Sequence, residues 1–220
     1  MKALIFFDIN GTLIMRDART DLPFGHAVNK LLKTEDAMAG VDTSARSDQD
    51  VFMEILANHG LAYNEDLWQE FLGLYEDQLK LFEDTDVWRE NADAKSFVEA
   101  LDQAGYYLAL ITGELEIGAE YKLKKLGLWD YFKTGGYGQD GLKRFDIADA
   151  AKKKADMVLP RDYDEVYVIG DTVLDIQTAR HMGAKIISIT TGSHSRDKLM
   201  EYQPDYIIDR FEEIKDLFIE

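Results

Sequence analysis

Three short stretches hold side chains whose types and spacing could do chemistry. The first is Asp8-Ile9-Asn10-Gly11-Thr12, the second Thr112-Gly113, and the third Gly170-Asp171-Thr172 with Asp175 following on. Each comes directly after an apolar run: Ala3 to Phe7, Leu108 to Ile111 and Val166 to Ile169. Apolar runs of that length suit strands of a parallel sheet buried on both faces. In such sheets ligands bind beyond the carboxyl ends of the strands. If the three strands are neighbours, Asp8, Asp171, Asp175 and the Thr112 hydroxyl gather at one edge. Clustered carboxylates repel unless a cation sits among them. A hard divalent ion is the natural partner, and Mg²⁺ takes few carboxylates alongside water or phosphate oxygens.

The elements that must position these residues can be read from periodicity. From about Arg16 to Trp88 the pattern is helical. Phe24, Val28, Leu31 and Leu32 share one face, with Pro23 suited to a first turn. Val51, Phe52, Ile55 and Leu56 mark a second helix, with Ser47 or Asp48 as its cap and Gly60 at its end. Glu65 to Phe82 marks a third, whose Trp68, Phe71 and Tyr75 read as core residues. From Asn91 onward helices and strands alternate. Helices are expected over 96–104, 117–126, about 145–155 and up to Met182, and strands over 106–111, 165–169, 185–189 and 206–208. Repeated β-α units imply an α/β fold with a parallel sheet and right-handed crossovers. Three helices inserted straight after the first strand predict a separate helical unit.

Composition narrows the function classes. The 220 residues carry a formal net charge of −17 and no cysteine. Disulfides, thiolate metal sites and thiol nucleophiles are excluded. No basic stripe is present, so nucleic acid is not expected as a partner. The apolar runs fall short of the roughly 18 residues of a membrane span, and no signal peptide is evident. The expectation is a cytoplasmic protein that does not engage membranes, as a monomer or a homodimer. An anionic substrate would need a metal ion or a few placed cations to enter so acidic a chain.

DINGT, ITG and GDTVLD, in this order and spacing, resemble the motifs of the haloacid dehalogenase (HAD) superfamily, whose first motif is usually Asp-x-Asp-Gly-Thr. The helical insert resembles the cap of its phosphoglycolate-phosphatase-like members. ARSDQDVFMEIL and TGELEIGAEYKLKKLGLWDYF are similar to segments of one such subgroup. The resemblance implies a doubly wound, Rossmann-like core over residues 1–15 and 88–220, with the cap over 16–87. It implies Mg²⁺-dependent hydrolysis of a small phosphorylated metabolite through an aspartyl-phosphate at Asp8. Asp8, the backbone carbonyl of Asn10 and Asp171 would hold the metal, with Asp175 as a further ligand or an orienting group. Thr112, beside Gly113, would bond the transferring phosphoryl group. A cation should accompany it: Lys143 ranks first, Arg144 close behind and Lys122 third. Arg46, Ser47 and Asp48 of the cap loop, with Arg16, Arg19 and His26, are expected to meet the organic part of the substrate.

Residue 10 departs from the family pattern. The usual Asp there protonates the leaving oxygen and then activates water; an amide does neither. Losing an acid-base group typically costs about 10²–10⁴ in rate. Four readings stay open: an engineered trap, a natural enzyme in which water or the substrate supplies the proton or whose leaving group needs none, a phosphate-binding protein without turnover, and a dehalogenase or phosphonate hydrolase on the same fold.

Overall fold

The structure, a computed structural model, describes residues 2–43 and 46–219. Ser44 and Ala45, within the cap loop and the ARSD segment, lie outside the described residues. Six strands form one sheet: β1 (Ala3–Phe7), β2 (Tyr107–Ile111), β3 (Gly135–Gly136), β4 (Glu165–Gly170), β5 (Lys185–Ile189) and β6 (Tyr206–Ile208). Their order is β3-β2-β1-β4-β5-β6, and each adjacent pair is parallel. This is a doubly wound arrangement: β1 is central, β2 and β3 extend the sheet on one side of it, and β4, β5 and β6 on the other. The three motif-bearing strands are therefore adjacent.

All five residues of β1 are buried, because both faces are covered. Ile5 and Phe7 join one apolar cluster with Phe97 and Phe211, while Leu4 and Phe6 join another with Ile147 and Ile176. The covering helices are α4 (Ala94–Gln103), α5 (Glu116–Lys125), α6 (Arg144–Val158) and α7 (Val173–Met182). β3 is the element that periodicity did not foretell, since glycine has little intrinsic preference for strands. A Cβ on Gly136 would stand 2.7 Å from the Cβ of Ala151. Glycine there lets α6 lie close against the edge of the sheet, and α6 carries a site residue at its first position.

Between β1 and α4 lie three helices, numbered here by their place in the chain: α1 (Leu22–Leu32), α2 (Asp48–Asn58) and α3 (Glu65–Phe82). Pro23 occupies the first turn of α1. The Ser47 hydroxyl accepts the Asp50 N–H at 3.2 Å and caps α2; Asn64 caps α3 through the Leu67 N–H at 3.0 Å. The three helices share their own apolar cluster around Phe71, whose ring lies 4.5 Å from Phe52, 5.5 Å from Trp68 and 5.7 Å from Tyr75. The aromatics are core, as their helical spacing indicates. Both strands of chain entering and leaving the insert run side by side: Ile14 bridges Glu90, and the Met15 N–H bonds the Arg89 carbonyl at 2.8 Å. Arg19 ties them further, contacting Asp17 at 2.7 Å and Asp86 at 3.1 Å. No helix among the described residues is long and apolar enough to cross a membrane.

Candidate active site

Asp8 stands one residue past β1, and its backbone N–H is fixed to the Ile169 carbonyl of β4 at 2.9 Å. Gly11 makes the turn that follows, at φ +87°; a Cβ there would meet the Asp171 carboxylate at 2.8 Å. Thr112, past β2, is bound through its N–H to the Gly136 carbonyl at 3.0 Å. Its hydroxyl oxygen accepts the Glu114 N–H at 3.2 Å, which leaves the hydroxyl proton free to donate elsewhere. Asp171, past β4, accepts the Ser193 N–H at 2.5 Å. The topology thus brings Asp8, Thr112 and Asp171 to one sheet edge, at the mouth of a cavity of about 230 Å³ between the strand ends and the helical insert.

The cation among these carboxylates is Arg144. Its guanidinium donates to Asp8 at 2.9 Å, to Asp175 at 2.5 Å and to the Ile111 carbonyl at 3.0 Å. Lys143, ranked first from sequence, is corrected: it is the exposed N-cap residue of α6, and its backbone N–H bonds Asp146 at 3.3 Å. One helical position separates an outward side chain from an inward one, a distinction that two adjacent basic residues do not reveal in sequence. Lys122 is not that cation either. It is buried on α5 and paired with Glu114.

Asp175 is also corrected as a direct metal ligand. One of its oxygens is taken by Arg144, and the other accepts both the N–H and the hydroxyl of Thr172, at 3.0 and 2.6 Å. It orients the guanidinium and caps α7. Among the described residues no group of three or more Asp, Glu or His side chains forms a metal cage. Two carboxylates remain, those of Asp8 and Asp171, on a cavity that Asn10 also lines. That set fits Mg²⁺, which uses one or two carboxylates and otherwise water or phosphate oxygens. The charge state agrees. Burial, and then the neighbouring Asp175, push the Asp8 carboxyl well above the usual range, while Arg144 pulls it down. The same two causes push Asp171 up to about 6. One guanidinium leaves this group of carboxylates short of positive charge.

Arg46 lines the cavity, with its side chain already engaged by neighbours. Its guanidinium is consumed by Asp50 at 2.6 Å, by Glu54 and by the Asp42 carbonyl at 3.0 Å. His26 is exposed against Phe82, and Arg19 is held by Asp17 and Asp86. Ser47 is buried as the α2 cap. Gly113 and Asp48 instead form a clasp between insert and sheet. The Asp48 N–H bonds the Gly113 carbonyl at 2.8 Å, and the Leu115 N–H bonds the Asp48 carboxylate at 2.8 Å. Burial pushes the Asp48 carboxyl up to about 7, against the Leu115 bond and Lys122, which lower it; Asp21 adds to the rise. Tyr75 also faces it.

A raised carboxyl costs stability once ionised, so the Asp48 contribution worsens as pH rises from about 4 to about 7 and is constant above. Asp48→Asn keeps an acceptor for the Leu115 N–H. We expect it to flatten the fall in melting temperature across that window relative to the parent, with a difference of up to about 1.4 kcal/mol per pH unit. Thermal unfolding of both proteins from pH 4 to 8 checks this; parallel curves would contradict it.

Four buried polar atoms on residues lining the cavity lack any partner: Asn10 Oδ1, Thr20 Oγ1, Glu114 Oε2 and Arg144 Nε. Buried polar groups are nearly always bonded, so a concentration of exceptions in one cavity marks where a ligand belongs. Glu114 is the site residue that the motifs missed. The signal was present as a charged residue directly after Thr112-Gly113, at a strand end where side chains turn toward the site.

Fold and site together define a doubly wound α/β protein with an acidic nucleophile candidate at the tip of the central strand. The model of the haloacid dehalogenase-like hydrolase family matches residues 5–180, and the chain belongs to that family. A Clostridium perfringens relative provisionally named pyrophosphatase PpaX is 25% identical over 218 residues, covering 99% of this chain and 97% of that protein. The phosphoglycolate phosphatase of Neisseria meningitidis is 29% identical over 158 residues, 69% of this chain and 65% of that protein. The crystal structure of a hydrolase from Pseudomonas syringae superposes with a TM-score of 0.70 at 18% identity, over 100% of both chains, which shows the shared fold.

Proposed function

We propose that this chain is a Mg²⁺-dependent phosphomonoesterase acting through an aspartyl-phosphate at Asp8. The observation that carries the reading is Asp8 held at 2.9 Å by Arg144, a buried cation whose Nε–H lacks a partner. A phosphoryl group approaching Asp8 enters a cavity lined by Arg144 and by Thr112, whose hydroxyl proton is free to donate. Such preorganised donors are where most of the stabilisation of phosphoryl transfer comes from. Asp8, Asp171 and the carbonyl of residue 10 would hold Mg²⁺, which when bound supplies the positive charge that lets this acidic site accept a phosphate. In the first step an Asp8 oxygen bonds to phosphorus and the ester oxygen leaves; in the second, water releases phosphate from Asp8. Arg144 favours the ionised form of Asp8, against burial and Asp175, and aims it, with Asp175 fixing the guanidinium.

The cap side of the cavity argues for the leaving group. Phe24, Val51 and Tyr75 offer an apolar wall, and Asp17, Asp21 and Asp48 stand on the same lining as Arg16 and Arg46, so both signs of charge are present. This suits a small organic group with apolar and polar parts. The helical insert would serve as the lid that excludes bulk water, pivoting at the paired segments around Ile14 and Glu90.

The test is aryl-phosphate hydrolysis with Mg²⁺ and with a chelator. Release of the aryl alcohol that stops on chelation and resumes with Mg²⁺ supports the reading. Turnover of a haloacid or phosphonate with none of a phosphate ester would replace it. Asn10 favours one other reading, a phosphate-binding protein. In that case orthophosphate binds with Mg²⁺ present and no alcohol is released.

A further inference from the structure

We propose that Glu114 is the catalytic proton carrier of this site, taking the task that the amide of Asn10 cannot perform; the inference rests on the phosphomonoesterase reading above. Glu114 stands two residues past Thr112 and is 6% exposed, on the wall of the same cavity as Asp8 and Asn10. Its Oε1 accepts the Asn10 side-chain amide at 2.6 Å and is paired with Lys122, which is itself buried. Its backbone N–H is anchored on the Thr112 hydroxyl oxygen at 3.2 Å. The carboxylate is therefore held at one oxygen, while Oε2 is buried and takes no hydrogen bond.

A buried acceptor oxygen without a donor is uncommon in a folded chain, and this one belongs to a residue of the cavity wall. Residue identity at position 10 is part of the same arrangement. An Asp at position 10 would set two carboxylates against each other at this distance, and like charges that close cannot both ionise. Asn10 instead donates to Glu114 and fixes it beside the reacting centre. The acid-base group has moved from the β1 motif to the residue that follows the β2 motif.

The proton balance closes over two steps. The first starts with Glu114 protonated at Oε2 while Oε1 still accepts from Asn10 and Lys122: an Asp8 oxygen bonds to phosphorus, the ester O–P bond breaks, and the leaving oxygen takes the Oε2 proton. In the second, a water oxygen bonds to phosphorus, the Asp8 O–P bond breaks with its electron pair returning to the carboxylate, and the water proton passes to Glu114 Oε2. The products are the free alcohol and phosphate, and Glu114 is reset.

Glu114→Gln keeps the shape and can still accept from Asn10, so it separates proton transfer from positioning. With an aryl phosphate and Mg²⁺, whose leaving group hardly needs a proton, the expected result is a burst of about one equivalent of aryl alcohol. Steady turnover should then fall about 10²–10⁴-fold, with a phosphoryl group accumulating on the protein by intact mass. Adding Asn10→Asp to Glu114→Gln should restore steady turnover to within about tenfold of the parent, since a carboxylate again stands at residue 10. Steady turnover unchanged in Glu114→Gln, or loss of the burst together with steady turnover, would overturn the assignment, as would failure of the second substitution to rescue.

A measurement on the parent alone covers the case in which Glu114→Gln does not fold. Parent turnover of alkyl phosphates within about tenfold of aryl phosphates indicates a proton donor in the first step, and a steep preference for aryl esters overturns it. Absence of turnover on every phosphate ester would defeat the phosphomonoesterase reading and this inference together. Turnover that is indifferent to Glu114 would defeat this inference only.

Discussion

Asp8→Asn should abolish phosphate-ester turnover while making the fold more stable. The amide cannot attack phosphorus, and loss of a nucleophile from a two-step mechanism typically costs about 10⁴–10⁶ in rate. The stability gain follows from the charge distribution. Asp8 is buried beside Asp175 and Asp171, and both burial and those neighbours raise its pKa, with only Arg144 opposing. A group whose carboxyl is raised in the folded state costs stability at every pH where it is ionised in the unfolded chain. The amide has nearly the same shape, still accepts from Arg144, and carries no charge. Without added Mg²⁺, its melting temperature should therefore exceed that of the parent at pH 7.5. Adding Mg²⁺ should narrow the gap, because only the parent keeps the Asp8 carboxylate for the metal. Retained turnover would contradict the nucleophile assignment. A lower melting temperature without metal would contradict the charge argument.

Arg144→Ala should do the reverse, lowering both activity and stability. The side chain is 8% exposed and holds Asp8 and Asp175 together. Removing one partner from a buried ion pair leaves uncompensated charge, at a cost of about 3–5 kcal/mol. For a chain of this size, that corresponds to a drop of roughly 6–20 °C in melting temperature. Activity should fall about 10²–10³-fold, the usual effect of deleting one preorganised donor at a transition state. Arg144→Lys should recover part of the stability and less of the activity. A single ammonium restores the charge, but on a shorter side chain it cannot stand where one guanidinium nitrogen now meets Asp8, Asp175 and the Ile111 carbonyl. Mg²⁺ titration during thermal unfolding separates the two roles, since a divalent ion should partly stabilise Arg144→Ala without restoring its rate. If Lys143→Ala instead had the larger effect, the placement of the cation would be wrong.

The sheet and its motif-bearing strand ends were legible because they depend on local signals. Ala3 to Phe7 is apolar throughout since both faces are covered, and the run stops where Asp8 begins. The helix over Glu65–Phe82 was equally plain, as one apolar face repeats over its whole length. The choice between Lys143 and Arg144 was not legible. It depends on where α6 begins, and a shift of one residue turns a side chain through about 100°. The edge strand at Gly135–Gly136 was hidden for a related reason: its glycines are there for the approach of α6, a contact between distant segments. Arg46 shows a third cause. Its type suits an anionic substrate, but Asp50 and Glu54, one and two turns along, take its charge. Glu114 stood inside the TGELEIGAEY segment, but its bond to Asn10, 104 residues away in sequence, is a contact that the segment does not reveal.

The most direct test of the central claim is to locate the phosphoryl group. The protein would be mixed with an aryl phosphate and Mg²⁺, quenched in acid within its first turnovers, and its peptides examined by mass. A phosphoryl group on the peptide bearing Asp8, absent in Asp8→Asn, is the predicted result. Steady release of aryl alcohol with no phosphoryl group on Asp8 at any time, in the parent or in Glu114→Gln, would contradict a covalent mechanism at this residue.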